Sequence, residues 1–261
     1  NLVSVPSDTP QPYDLRPVPH GVLHLHTYTS STGLGTRRVS VYTPPDYNRS
    51  PPVRFPVLYL LHGLGDTEMA WIFVGRANLI ADNLIAAGRA RPMIIVMPSG
   101  HVAPPQTEPN PAELRKRFGE DLARDVLPMV ESAYRTRPGR DARAIAGISM
   151  GAFQALWFAL DHPDLVSGLG VFGGGIWGPE GRMDIVRYAS APAAIRRKFH
   201  PFRISVGDRD MNLSLSRNLD AVLTEYNVSH QYSVVPGAGH TWPLWRQCLA
   251  ETLPLLFREP K

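Results

Sequence analysis

From residue 55 onward the chain alternates short apolar runs with stretches of helical spacing, and this alternation limits its fold more than any other feature. Residues 55–61, 92–98, 144–148, 165–172, 202–207 and 231–235 read as strands. The segments 78–87, 118–134, 149–162, 185–197, 213–226 and 245–257 read as helices, with a kink or a new first turn at Pro128. Continuous apolar runs fit parallel strands buried on both faces. Strands separated by helices need crossover connections, so the sheet must be mainly parallel, with helices on both sides. Residues 22–28 and 38–42 alternate apolar and polar instead, predicting an antiparallel pair at one edge. The expected fold is α/β, a doubly wound, mainly parallel sheet of about eight strands with antiparallel N-terminal edge strands. Residues 1–20, rich in proline, serine and threonine, are expected as a linker or surface arm, and residues 21–261 as one domain.

Ligands bind such sheets beyond the carboxyl ends of the strands, and the polar candidates follow predicted strands. Gly147-Ile148-Ser149-Met150-Gly151 lies between a strand and a helix, the arrangement of the nucleophile elbow of α/β-hydrolases. A serine hydroxyl needs a base within hydrogen-bond reach, itself oriented by a third group. His240, in the glycine-rich loop after the last strand, stands where the order serine, acid, histidine requires the base. The acid should follow the strand ending at Gly207, where Asp208 and Asp210 are equally placed by spacing alone. Two N–H groups must face the oxygen that gains charge; Met150, after the serine, and Leu64, in His62-Gly63-Leu64-Gly65, are the expected donors. His62 itself is expected to brace that loop.

Other chemistries find less support. The formal charge of +4 is scattered, without aromatic interleaving, which argues against nucleic acid as a partner. His24 and His26 share a strand face but lack a third ligand, so no metal is expected. The single cysteine, Cys248, permits no intramolecular disulfide and reads as a core residue. No apolar run is long enough to span a bilayer, so no membrane partner is expected. The chain starts at Asn1, which fits either a removed export signal or a trimmed chain.

Beyond the elbow, Tyr42-Thr43-Pro44-Pro45-Asp46-Tyr47, Leu60-Leu61-His62-Gly63-Leu64-Gly65-Asp66, Ile94-Ile95-Val96-Met97-Pro98 and Gly239-His240-Thr241-Trp242 resemble the esterase D family. Within it, the chain is most similar to the feruloyl and acetyl-xylan esterases of carbohydrate esterase family 1. The resemblance implies Ser149 as nucleophile, His240 as base and Asp210 as acid, with Leu64 and Met150 as oxyanion donors and no cofactor. It implies a serine carboxylesterase acting on hydroxycinnamoyl esters of plant cell-wall polysaccharide. An acetyl or siderophore-ester hydrolase and a mycolyltransferase-like acyltransferase are the alternatives. Ala152 departs from the second glycine of many relatives, placing a methyl group behind the elbow. Trp71, Trp177 and Trp242, with the 99–116 loop and the 173–202 insertion, are expected to build an aromatic slot for the acyl group. Asp66 and Gln106 are expected to bind its phenol or a sugar hydroxyl. A secreted or periplasmic location and an upstream carbohydrate-binding module would accord with such relatives.

Overall fold

The computed structural model describes residues 9–49, 51–102, 110–192 and 198–258. Eight strands form one sheet: β1 (Val22–Thr29), β2 (Thr36–Thr43), β3 (Val57–Leu61), β4 (Ile94–Pro98), β5 (Arg143–Ile148), β6 (Gly168–Phe172), β7 (Phe202–Gly207) and β8 (Gln231–Val235). Their spatial order is β1-β2-β4-β3-β5-β6-β7-β8. The β1–β2 and β2–β4 pairs are antiparallel, and every other pair is parallel. After β3 the chain steps outward to β4, then returns to lay β5 on the other side of β3. The strand order therefore reverses between β3 and β5, and ligands of open α/β sheets lie at such a reversal. The segments leaving these two strands carry Leu64 and Ser149.

Side chains of a strand alternate between faces, and the two faces of β3 feed separate cores. Leu58 and Leu60 join the core formed with α1 (Ala70–Phe73), α2 (Ala77–Ala86) and α8 (Trp242–Thr252). Val57, Tyr59 and Leu61 join the core under α4 (Leu127–Ala133), α5 (Met150–Asp161) and α7 (Leu213–Glu225). Residues 11–21 lie against the α2 and α8 side. Asn83 Nδ2 donates to the Pro12 and Asp14 carbonyls at 2.9 and 2.8 Å, and buried Asp82 accepts from the Gly21 N–H at 2.9 Å.

Two helices depart furthest from the sequence expectation. α3 begins earlier, spanning Pro111–Asp121, because Asn110 caps it through the Glu113 N–H at 2.8 Å and Pro111 suits a first turn. It passes into α4 through a π turn, Leu122–Val126, so the irregularity precedes Pro128, whose missing N–H falls in the first turn of α4. Helix α6 spans Gly178–Ser190 rather than residues 185–197, starting where Pro179 fits the first turn. Residues 193–197 lie outside the described residues.

Candidate active site

Ser149 has φ 51° and ψ −118°, a conformation rare for a residue with a side chain and one that costs on the order of 1–3 kcal/mol. Its surroundings enforce it. The Ser149 N–H donates to the Phe172 carbonyl at 3.0 Å, tying the elbow to the end of β6. A Cβ on Gly147 would fall 2.2 Å from the Gly151 carbonyl oxygen, and one on Gly151 2.5 Å from that of His62. Neither glycine can carry a side chain while the turn stays closed.

His240 joins the serine to an acid. The Ser149 hydroxyl donates to His240 Nε2 at 2.9 Å, and His240 Nδ1–H donates to both Asp210 carboxylate oxygens, each at 2.9 Å. Asp210 is buried, and its Oδ1 also accepts from the Asn212 N–H at 2.8 Å. Asp208 points into solvent. The choice that spacing left open thus falls on Asp210, the only one of the two within reach of the imidazole. The Trp245 ring meets His240 edge-on at 5.0 Å and backs the imidazole.

The triple glycine after β6 gives this cluster its room. A Cβ on Gly173 would come within 3.0 Å of Asp210 and 3.3 Å of His240, and one on Gly174 within 2.6 Å of the Ala152 methyl. The methyl of Ala152 therefore fits because Gly174 faces it. In sequence these glycines read only as the close of a strand.

Leu64 and Met150 flank the serine along one cleft of about 440 Å³. The Met150 N–H opens α5, where no helical acceptor precedes it. Among the described residues neither N–H donates to a protein acceptor, so both are free to meet a developing oxyanion. The rest of the cleft is largely apolar: Val102, Leu114, Phe153, Trp157, Trp177, Met211 and Leu215 line it. Met150, Phe153, Gln154 and Trp157 recur at helical spacing and give α5 one face toward the cleft. A larger hollow of about 540 Å³ lies between the N-terminal segment and α8, and no triad residue lines it.

Of the expected aromatic contacts, Trp177 lines the cleft and is 56% exposed. Trp71 does not. It is 1% exposed, and its indole N–H donates to the Leu61 carbonyl at 3.0 Å, as a core tryptophan must. Trp242 packs edge-on against both Trp71 and Trp245 and also stays out of the cleft lining. Asp66 is half-buried under the Leu64 turn, with its N–H on the Gly63 carbonyl at 3.2 Å and its carbonyl on the His101 ring at 2.9 Å. Burial raises its carboxyl above the usual range, and it too lies off the cleft lining. Gln106 lies outside the described residues. Phe153 and Trp157, which sequence reasoning passed over, take the places expected of Trp71 and Trp242; their signal was the spacing of four and eight residues after the elbow serine.

Comparison with known proteins accords with this geometry. The sequence profile of a family described as putative esterase matches residues 30–256. The chain belongs to that esterase family. It is 28% identical over 242 residues to an endo-1,4-beta-xylanase/feruloyl esterase of Xylanibacter ruminicola, a match covering 92% of this chain and 32% of that protein. The chain thus spans about a third of that relative's length. Among solved structures, a ferulic acid esterase of carbohydrate esterase family 1 from Anaeromyces mucronatus, in complex with ferulic acid, superposes with a TM-score of 0.82 at 26% identity, covering 98% of each chain. An S-formylglutathione hydrolase from Staphylococcus aureus shares the fold, with a TM-score of 0.69 at 17% identity, over 92% of this chain and all of that one.

Proposed function

We propose that this esterase is a serine carboxylesterase that cleaves hydroxycinnamoyl esters, feruloyl esters foremost, from plant cell-wall polysaccharide. The observation that carries the reading is the hydrogen-bonded line Ser149–His240–Asp210, opening onto a cleft walled by Phe153, Trp157 and Trp177. An aromatic acyl group buries its faces in such a slot, whereas an acetyl group would leave most of about 440 Å³ unfilled.

In this mechanism His240 Nε2 takes the Ser149 proton as Oγ attacks the ester carbon. Asp210 keeps Nδ1 as the donor side of the ring and stabilises the imidazolium that results. The carbonyl oxygen, now an oxyanion, accepts from the Leu64 and Met150 N–H groups, and each such donor lowers the barrier by about 3 kcal/mol. The imidazolium then protonates the departing sugar alkoxide, leaving Ser149 acylated. Water, deprotonated by His240, attacks the acyl-enzyme and regenerates the hydroxyl. The residues supply every proton transfer themselves.

A cell-wall polymer cannot enter a cell, so the proposed substrate requires an exported enzyme. The greater length of the xylanase relative favours a setting in which this unit, residues 21–261, works beside further domains, and an upstream carbohydrate-binding module is the one we propose. Ser149→Ala tests the reading. With methyl ferulate as substrate, turnover should fall by at least ~10⁴-fold while the variant unfolds at the wild-type temperature. Undiminished hydrolysis would refute it.

A further inference from the structure

The peptide unit that presents the Leu64 N–H is intrinsically soft. Its plane turns about ψ of Gly63, which has no side chain to resist the rotation, so its orientation depends on what its carbonyl bonds to. Two contacts orient its carbonyl: the turn bond from Asp66, and a side chain anchored outside the loop, that of buried His62. Its Nδ1–H donates to the Gly63 carbonyl at 2.8 Å, where the Asp66 N–H also converges. In a planar trans peptide the carbonyl and the following N–H point to opposite sides. Fixing the Gly63 carbonyl inward therefore fixes the Leu64 N–H outward, on the cleft side that Ser149 shares.

The other ring nitrogen extends the hold to the second oxyanion donor. His62 Nε2 accepts from the Gly100 N–H at 2.8 Å, and the Gly100 carbonyl accepts from Gln154 Nε2 at 2.8 Å. Gln154 belongs to α5, the helix whose first N–H is that of Met150. Gly100 is clamped in turn by Arg37, which donates to the flanking Ser99 and His101 carbonyls at 2.6 and 2.7 Å while paired with Asp121 at 3.1 Å. We infer that His62 is a positioning residue for the oxyanion pocket, aiming the Leu64 N–H through the Gly63 carbonyl and holding it in register with Met150 through Gly100 and Gln154. Only the neutral ring with its proton on Nδ1 serves both contacts. Burial keeps it in that state, lowering its pKa to about 4, and the neighbouring His101 and Arg37 push the same way.

The inference rests on the serine-esterase reading, and its test separates the two. Wild type, His62→Leu and His62→Asn are compared for methyl ferulate hydrolysis, for affinity toward an arylboronic acid, which bonds to the serine oxygen and places a boronate oxygen in the pocket, and for affinity toward ferulate itself. Wild type must hydrolyse the ester and bind the boronic acid; failure there sinks the esterase reading. His62→Leu should lower kcat about 100-fold with KM nearly unchanged, and weaken boronate binding by a similar factor while ferulate affinity holds. His62→Asn, whose amide can still donate to Gly63, should recover kcat to within about 10-fold of wild type. If His62→Leu does not fold, Gln154→Met, which cuts the tie between Gly100 and α5 with a side chain of similar length on the cleft face, should show the same selective loss of boronate over ferulate. Wild-type kcat in folded His62→Leu, or equal weakening of both ligands, would overturn the inference.

Discussion

Around the elbow, Asp210, His62 and Gln154 are 5%, 1% and 5% exposed, while at the outer wall of the same cleft Trp177 and Met211 are 56% and 78% exposed. The first region is held by closed hydrogen bonds running through backbone groups of β3, β5 and β6 and the loops that leave them. The second consists of side chains standing on the insertion after β6 and the turn after β7. A buried polar network loses heavily when one partner goes, because the remaining group is left unsatisfied. An exposed aromatic wall loses only its contact area. The inner region should therefore govern rate, and the outer one should govern which acyl group is accepted.

The largest expected effect breaks the inner region. Asp210→Asn, which leaves His240 without an anion at Nδ1, should lower kcat for methyl ferulate by about 10⁴-fold. Asp208→Asn, two residues away but in solvent, should leave kcat within about 2-fold of wild type. Steady-state kinetics on the pair decides whether burial beside the histidine, rather than proximity in sequence, defines the acid. The outer wall is predicted to respond differently. Trp177→Ala should raise KM for methyl ferulate roughly 10-fold with little change in kcat, and should leave hydrolysis of a small acetyl ester unaffected. A matching loss on the acetyl ester would show that the wall also supports the chemistry.

A smaller effect appears in stability. His62 ionises near its ordinary 6.5 in the unfolded chain but only at about 4 when folded. As pH falls through that window the unfolded state binds a proton that the folded state refuses, so stability contributed at neutral pH is lost, by up to about 3 kcal/mol from this residue. Melting temperatures measured from pH 7 to 4 should fall less steeply for His62→Asn than for wild type.

The strands were legible because their signal is local. β7 and β8 fall on the residues that apolar patterning marked, and the order of elements already required a parallel sheet. The serine and histidine that hydrogen-bond at the elbow were legible from the loops that hold them. The acid was not legible from spacing, and only the family resemblance singled out Asp210, because Asp208 and Asp210 differ in how the backbone turns after Gly207, where Ala238 leaves no room for a Cβ. The tryptophans misled for a related reason. An indole that fills the core and one that walls a cleft look alike in sequence, and what separates Trp71 from Trp177 is packing by Trp242 and a bond to the Leu61 carbonyl. The helix of the insertion was placed late because its apolar spacing is weak at the start, while Gly178 and Pro179 carried the boundary signal.

The central claim is that Ser149 becomes acylated. Rapid quenching of methyl ferulate turnover in acid, followed by peptide mapping with mass spectrometry, tests it most directly. A feruloyl group on the peptide containing Ser149, forming and decaying at rates consistent with kcat, is the predicted result. A kinetically competent adduct on another residue would contradict it.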